Sequence, residues 1–492
     1  MGYGCTILTL AECSVEGYKK LIKSKSFVNA AWIGDGECLS VRDKYTQELL
    51  SEVPFLNKTQ VEQAVVSSEK AFLELASWSG GQRAEKLKNL YNLLEEKEEA
   101  FSELICKEAG KPYSYSKGEI ARCLLTLNLA KEEATRFEGE KVPIDFGLGA
   151  GKTAYTKPFP IGPILAISPF NFPLNLVMHK VAPALAAGCP VILKPSPFTP
   201  LTSLAFGELV DKAGFPPGSL NVLVCKDSEA ESLVRDERLK ALSFTGSPKV
   251  GWFLKTIAGM KKVILELGGN AAVIVDENVD IKKVAQDICT GSFLYSGQIC
   301  ISTQRVYAHK NVFSDLKKAL IEAMKNLGIG DPREEKNSVG PLIDKNALER
   351  IGSWVEEAKS EGAEVLAGGE VLDEERNIYA PTLLTETKNE MKVVDEEVFG
   401  PLAVLEKVES FEDAIERANK TRYGLQVGVY TNRIDGMKYA FNHCQTGAVI
   451  MNFVPGFRID NMPYGGIKQS GFGREGIKYA MRDFSEEKLL IY

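Results

Sequence analysis

Between Gly162 and Glu266, short apolar runs alternate with stretches mostly long enough for a helix, and this alternation constrains the fold more than any other feature of the chain. The runs occupy residues 163–167, 190–194, 220–224, 241–244 and 263–266. A strand that is apolar along its whole length needs cover on both faces, and helices returning between successive strands supply it. The pattern predicts a doubly wound parallel α/β unit. After Gly268 a second series starts, with strand candidates at 271–275, 305–308, 402–405 and 427–430, so the chain reads as two α/β units. Residues 58–139 form a helical preface, and Thr59-Gln60-Val61-Glu62 fits a capping box that would start its first helix. Gly147-Leu148-Gly149-Ala150-Gly151 reads as a linker. The alternating stretch 152–157 after it could cross to another subunit, and 488–492 is a strand candidate with nothing following it to pair with. No internal repeat or low-complexity segment is seen.

Composition narrows the function. A chain of 492 residues, 44% apolar and 25% charged, can bury a large core. Its net charge of −7 and lack of any basic stripe exclude nucleic-acid binding as an expectation and leave small solutes as the default partners. Ten cysteines are scattered without a C-x-x-C pair, the pattern of a reduced cytoplasmic protein, and with only three histidines no metal site is expected. Any nucleophile must find a base other than a His-centred triad. No membrane span or signal peptide is expected. Met1-Gly2-Tyr3-Gly4-Cys5-Thr6 fits the short N-myristoylation template.

Two glycine motifs mislead. Gly471-Phe472-Gly473-Arg474-Glu475-Gly476 matches G-x-G-x-x-G but lies too close to the C-terminus to open a βαβ unit. In 147–153 the first glycine is one residue too close to Gly151 for a P-loop. Phe244-Thr245-Gly246-Ser247-Pro248-Lys249-Val250-Gly251 is different, because it closes a strand and opens a helix whose free N–H groups suit a diphosphate. The same turn also describes an ordinary Ser-capped helix start.

The motifs Glu266-Leu267-Gly268-Gly269-Asn270 and Gly297-Gln298-Ile299-Cys300 change the weighing. With Pro169-Phe170-Asn171-Phe172-Pro173, Lys194-Pro195-Ser196, Glu396-Glu397-Val398-Phe399-Gly400-Pro401 and Pro463-Tyr464-Gly465-Gly466-Ile467-Lys468, they occur in the order seen in aldehyde dehydrogenases. Across nearly its whole length the chain resembles that superfamily, and around 457–462 it is similar to the subgroup of lactaldehyde and other short polar aldehyde dehydrogenases. The resemblance implies two doubly wound α/β domains plus a small β oligomerisation arm. Residues 1–140 and 160–267 would bind the cofactor, 268–462 would form the catalytic domain, and 141–159 with 478–492 the arm of a homodimer or homotetramer.

The residue types suit the implied chemistry. An aldehyde carbon needs a nucleophile that can later leave, and the thiolate of Cys300 answers both demands; alone, Cys300 would read as a buried inert thiol. The resemblance assigns the oxyanion donors to the Asn171 side chain and the Cys300 N–H, each worth roughly 3 kcal/mol. It makes Glu266 the base that activates water on the resulting thioester, where otherwise Glu266 would be a salt-bridged strand end. It places Lys180 near the active site, against the alternative of a snorkelling surface lysine.

For NAD or NADP the resemblance implies Ile167, Ser168, Pro169, Phe170, Lys194, Ser196, Gly246, Ser247, Gly251, Leu267, Glu397 and Phe399. Many NAD-preferring members carry Glu where this chain has Pro197, a carboxylate that would repel a 2′-phosphate; its absence removes one barrier to NADP, and dual use is the expectation. Substrate contacts are expected from Phe172, His179, Arg122 and Arg458. A guanidinium at 458 suits a short polar or anionic aldehyde, although it could equally brace its loop through Asp460 or another acid. Two other readings remain: a CoA-acylating enzyme, which typically lacks the glutamate base, and a catalytically silent binding or structural homologue.

Overall fold

The computed structural model describes residues 17–492, so the acylation template at Gly2 lies outside the described residues. The five apolar runs become the parallel centre of an eight-stranded sheet. Its order is Ala31–Ile33, Ser26–Val28, Leu220–Val222, Val191–Lys194, Ile164–Ile167, Ala241–Thr245, Lys262–Glu266 and Gly471–Phe472. From Ile164–Ile167 the chain first moves outward through Val191–Lys194 to Leu220–Val222. It then returns to the other side for Ala241–Thr245 and Lys262–Glu266. That reversal leaves a crevice beyond the carboxyl ends of Ile164–Ile167 and Ala241–Thr245, where open α/β sheets bind ligands. The rejected Gly471 motif supplies an antiparallel edge strand here.

Four helices, Lys58–Leu75, Gly80–Glu95, Glu98–Ala109 and Tyr113–Arg136, make up the helical preface. The first starts earlier than the Thr59 box predicts. Asn57 accepts from the Gln60 N–H at 3.0 Å while the Gln60 side chain accepts from the Asn57 N–H at 3.0 Å. Asn57 is the last extended residue, so it and not Thr59 meets the open helix end.

A seven-stranded sheet follows in the order Glu364–Ala367, Thr382–Thr385, Leu402–Val408, Thr303–His309, Ala271–Val275, Gln426–Tyr430 and Ala448–Met451. It is parallel except for its first pair. The segments carrying Cys300 and Glu397 lead into its strands Thr303–His309 and Leu402–Val408, so the amino ends of this sheet face the carboxyl ends of the first.

A third sheet joins Ser485–Ile491, Ala154–Pro160 and Lys141–Val142. Here the expectation for the C-terminal strand needs correcting: it pairs along its whole length with Ala154–Pro160 of its own chain, Ser485 opposite Pro160 and Ile491 opposite Ala154. The helix Ile477–Asp483, within the range assigned to the arm, packs instead on Asn175–Ala187 and turns the chain back to make this pairing possible. The sheet stays apolar and exposed on both faces, at Tyr155 and Leu490 on one and at Leu489 and Ile491 on the other, with Tyr492 exposed beyond the strand end. Among the described residues no helix is long and apolar enough to cross a membrane.

Candidate active site

Cys300 sits at the end of a tightly constrained loop. Tyr295 and Ser296 both adopt the left-handed region, at φ 50° and 54°, a conformation costing of order 1–3 kcal/mol per residue. Their hydroxyls hold them there: Tyr295 donates to the Ala109 carbonyl at 2.9 Å and Ser296 to the Gly340 carbonyl at 2.7 Å. Gly297 is required beside them, because a Cβ would fall 2.0 Å from the Gly400 carbonyl oxygen. The Asn171 amide donates to the Gln298 carbonyl at 2.9 Å, which ties the loop after Ile164–Ile167 to the cysteine loop. An amide nitrogen carries two hydrogens, so one remains beyond this bond.

The glycines of Glu266-Leu267-Gly268-Gly269 allow close approach. A Cβ on Gly269 would lie 2.3 Å from the Cys300 carbonyl oxygen, and one on Gly268 would lie 2.2 Å from the Glu397 carboxylate. Glu266 is 3% exposed and neither carboxylate oxygen has a hydrogen-bond partner. Burial, and then the negative charge of Glu475, push its pKa well above the ordinary carboxylate range. A carboxylate without partners and with a raised pKa favours its protonated form and is a stronger base once ionised.

The sequence does not single out Glu475, whose G-x-G-x-x-G motif points only to dinucleotide binding. It accepts from Lys180 Nζ at 2.8 Å and from Arg458 Nη2 at 3.0 Å. Burial opposes its charge, but Lys180 and Arg458 hold its pKa below the usual range. Lys180 is fully buried and also donates to Thr245 Oγ1 at 2.7 Å, so it does not snorkel. It supports the network behind Glu266. Tyr464 stands in the sequence only as part of a motif, yet its hydroxyl lies 3.4 Å from Cys300 Sγ.

A cavity of about 360 Å³ opens on Cys300, with Lys111, Arg122, Phe172, Arg458 and Tyr464 on its wall. Arg458 combines the two expectations held for it, since it borders the cavity while bound to Glu475 and 3.9 Å from Asp460. Arg122 is the more accessible guanidinium and donates to Asp460 at 2.6 Å. His179 needs correction as a substrate contact. It is buried behind this wall with Nε2 3.1 Å from the Asp460 carboxylate, and burial, then the Arg458 charge, lower its pKa to about 4. It props the acid that orients Arg122. Lys111 forms a buried ion pair with Glu119, which accepts from the N–H groups of Leu174 and Asn175 at 2.9 and 3.0 Å and so anchors the segment after Asn171 and Phe172.

The crevice at the strand reversal fits a dinucleotide. Gly246 presents bare backbone, since a Cβ there would lie 2.6 Å from the Phe244 ring, and Ser247 caps the following helix Pro248–Ile257. A Cβ on Gly251 would lie 2.3 Å from Leu267, so glycine lets this helix sit close to the sheet. Ile167, Ser168, Pro169 and Phe170 leave the neighbouring strand, and the buried Ser168 hydroxyl has no partner. Lys194 closes the next strand with Nζ 3.3 Å from the exposed Asp227, and the Ser196 hydroxyl accepts from the Phe198 N–H at 3.2 Å. Glu397 accepts from the Gly269 N–H at 2.9 Å, and burial raises its pKa to about 7. Phe399 meets Phe170 edge to face at 5.8 Å between centroids. Among the described residues, no cluster of three or more His, Cys, Asp or Glu side chains is arranged to hold a metal.

Comparison with known proteins matches residues 32–490 to the aldehyde dehydrogenase family. The chain is 39% identical to the 3-sulfolactaldehyde dehydrogenase of Priestia megaterium over 94% of its own length and 97% of the relative's. It is 33% identical to the lactaldehyde dehydrogenase of Methanococcus aeolicus over 94% and 99%. Among solved structures, aldehyde dehydrogenase 21 of Physcomitrella patens in complex with its product succinate superposes with a TM-score of 0.93 at 38% identity, covering 96% and 98% of the two chains. The NADP complex of a Methanocaldococcus jannaschii glyceraldehyde-3-phosphate dehydrogenase gives 0.89 at 33%, covering 93% and 99%. The NAD+ complex of a Staphylococcus aureus betaine aldehyde dehydrogenase gives 0.92 at 26%, covering 96% and 95%. With the family matched along nearly its whole length, and with a thiol, an isolated carboxylate and a dinucleotide crevice brought together, this chain belongs to the aldehyde dehydrogenase family.

Proposed function

We propose that the protein oxidises a short aldehyde with a terminal anionic group to the corresponding acid, using NAD or NADP and water. The observation that carries the substrate class is the convergence of Arg122 and Arg458 with Cys300 on one small cavity. Guanidiniums recognise carboxylate or sulfonate oxygens through paired hydrogen bonds, and a cavity of about 360 Å³ suits a chain of a few carbons. The anionic substrate and product named for the Priestia and Physcomitrella relatives support the same class.

The Cys300 thiol loses its proton to solvent and its sulfur adds to the aldehyde carbon, while the C=O π pair moves to the oxygen, where the free Asn171 amide hydrogen and the Cys300 N–H receive the oxyanion. When bound, the nicotinamide cofactor takes up the hydrogen and electron pair that leave the substrate carbon. Ser168, Lys194, Ser196, Gly246, Ser247 and Glu397 would hold it. A thioester on Cys300 remains; Glu266 removes a proton from water as its oxygen attacks the acyl carbon. The C–S bond then breaks, its electron pair returns to sulfur, and the acid departs. Glu266 favours water over CoA as the acceptor, and assays with and without CoA separate the two. Pro197 removes one barrier to a 2′-phosphate, the carboxylate that many NAD-preferring members carry at that position, so both cofactors should serve; the kcat/KM ratio for NAD and NADP tests this. The exposed apolar arm fits a dimer or tetramer, and cysteines that are unpaired among the described residues fit a cytoplasmic enzyme.

The deciding experiment is a panel of sulfolactaldehyde, succinate semialdehyde, lactaldehyde and propanal with the wild type and Arg122→Met. Loss of a charge-assisted hydrogen bond should lower kcat/KM for the two anionic aldehydes by roughly 10- to 100-fold and leave propanal within about twofold. An equal loss on propanal would end the case for an anion contact.

A further inference from the structure

Tyr464 has no role in the cycle just described, yet its hydroxyl is the side-chain hydrogen-bond partner of Cys300 Sγ among the described residues, at 3.4 Å. The ring is 3% exposed, and the Arg458 guanidinium stacks 3.7 Å from its centroid. The backbone is fixed as well: Tyr464 N–H donates to the Glu475 carbonyl at 3.0 Å and Glu475 N–H to the Tyr464 carbonyl at 2.7 Å. Glu475 therefore holds Tyr464 through the main chain and holds Arg458 over the ring through its carboxylate. Nothing in this arrangement lets the hydroxyl turn easily from the sulfur.

A thiol and a phenol can each donate to the other, but a thiolate can only accept. Burial pushes the Tyr464 phenol well above its ordinary range, so it keeps the proton it would donate, and the Arg458 cation over the ring acts in the opposite direction by favouring negative charge on the oxygen. We propose that Tyr464 is a catalytic residue whose O–H donates to the Cys300 sulfur whenever that sulfur is negative: before it attacks the aldehyde, and when the thioester C–S bond breaks. This rests on the reading of Cys300 as the nucleophile. The charged groups facing Cys300 are Arg458, Glu266 and Glu397. Burial pushes the thiol up to about 11, the Tyr464 hydrogen bond and Arg458 act in the opposite direction, and the two carboxylates add to the rise. Tyr464 thus opposes an environment that otherwise disfavours the reactive form.

The test is Tyr464→Phe, which removes one oxygen and keeps the ring under Arg458. The rate of Cys300 alkylation by iodoacetamide should fall about tenfold at pH 7, with its inflection moved upward by about one pH unit. The kcat/KM for the aldehyde should fall similarly and recover at higher pH, while cofactor binding, followed by fluorescence, stays unchanged. An unmoved alkylation inflection overturns the proposal, whether kcat/KM is retained or lost. Should Tyr464→Phe fail to fold, 3-fluorotyrosine at 464 decides, because it keeps the hydroxyl and makes it more acidic. The inflection should then move downward, and an unchanged profile is contrary. Cys300→Ala separates the two levels. Retained turnover in that variant would remove the nucleophile reading itself, whereas an inactive Cys300→Ala with an unmoved Tyr464→Phe profile removes only the role of Tyr464.

Discussion

Glu266 is a carboxylate that the fold deprives of every hydrogen bond while placing it beside the buried anion Glu475. Under the proposed cycle it acts only after the thioester has formed, so Glu266→Gln should leave the first turnover intact. A burst of about one NAD(P)H per site should be followed by a steady rate lower by roughly 10²- to 10⁴-fold, measured by rapid mixing. Its raised pKa gives the pH dependence a definite sign. The base form exists only above that pKa, so thioester hydrolysis should rise with pH through an inflection above the ordinary carboxylate range. Glu475→Gln removes the neighbouring negative charge and leaves Lys180 and Arg458, which favour ionised Glu266, so the inflection should move to lower pH in a pH-rate profile. Cys300 and Glu266 stand out in the sequence because each lies in a local motif. The contacts of Glu475 and Tyr464 do not, because their partners Lys180 and Cys300 are distant in the chain and only tertiary packing joins them.

Among the elements, the buried parallel strands were the most legible, since a run of residues such as Val191–Lys194 is apolar throughout and has few other uses. The hairpin Cys38–Arg42 with Leu49–Pro54 carried no comparable signal, because its strands mix buried and exposed positions irregularly. The helix Asn175–Ala187 shows what periodicity misses entirely. Every one of its residues is buried, and its amino end depends on Glu119 from another helix, neutralised by Lys111 over the Phe172 ring. Lys111→Met would leave a buried carboxylate without its cation, at a cost of about 3 to 5 kcal/mol in urea unfolding. The double variant with Glu119→Gln should recover part of this, because a neutral amide still accepts from Leu174 and Asn175 without an uncompensated charge. No recovery in the double variant would show that the ion pair itself is not what Lys111 contributes.

For the whole molecule, the C-terminal strand was read correctly as a strand but not for its partner, because intrachain pairing depends on where Ile477–Asp483 docks. Pairing with Ala154–Pro160 uses one edge of Ser485–Ile491 and leaves the other edge and an apolar surface free. Subunits associating there would be separated by Leu490→Glu, and sedimentation should then show a smaller species whose secondary structure is retained. A variant sedimenting like the wild type would place the contact elsewhere. The loop before Cys300 carries a different consequence at this scale. Its two left-handed residues are secured by one carbonyl from the helical preface, at Ala109, and another from the second α/β unit, at Gly340. Neither half alone can hold that geometry, so a nascent or half-folded chain contains the cysteine without a formed site around it. Turnover, which needs the donors, the carboxylate and the cofactor crevice in place around the sulfur, is thereby conditional on assembly.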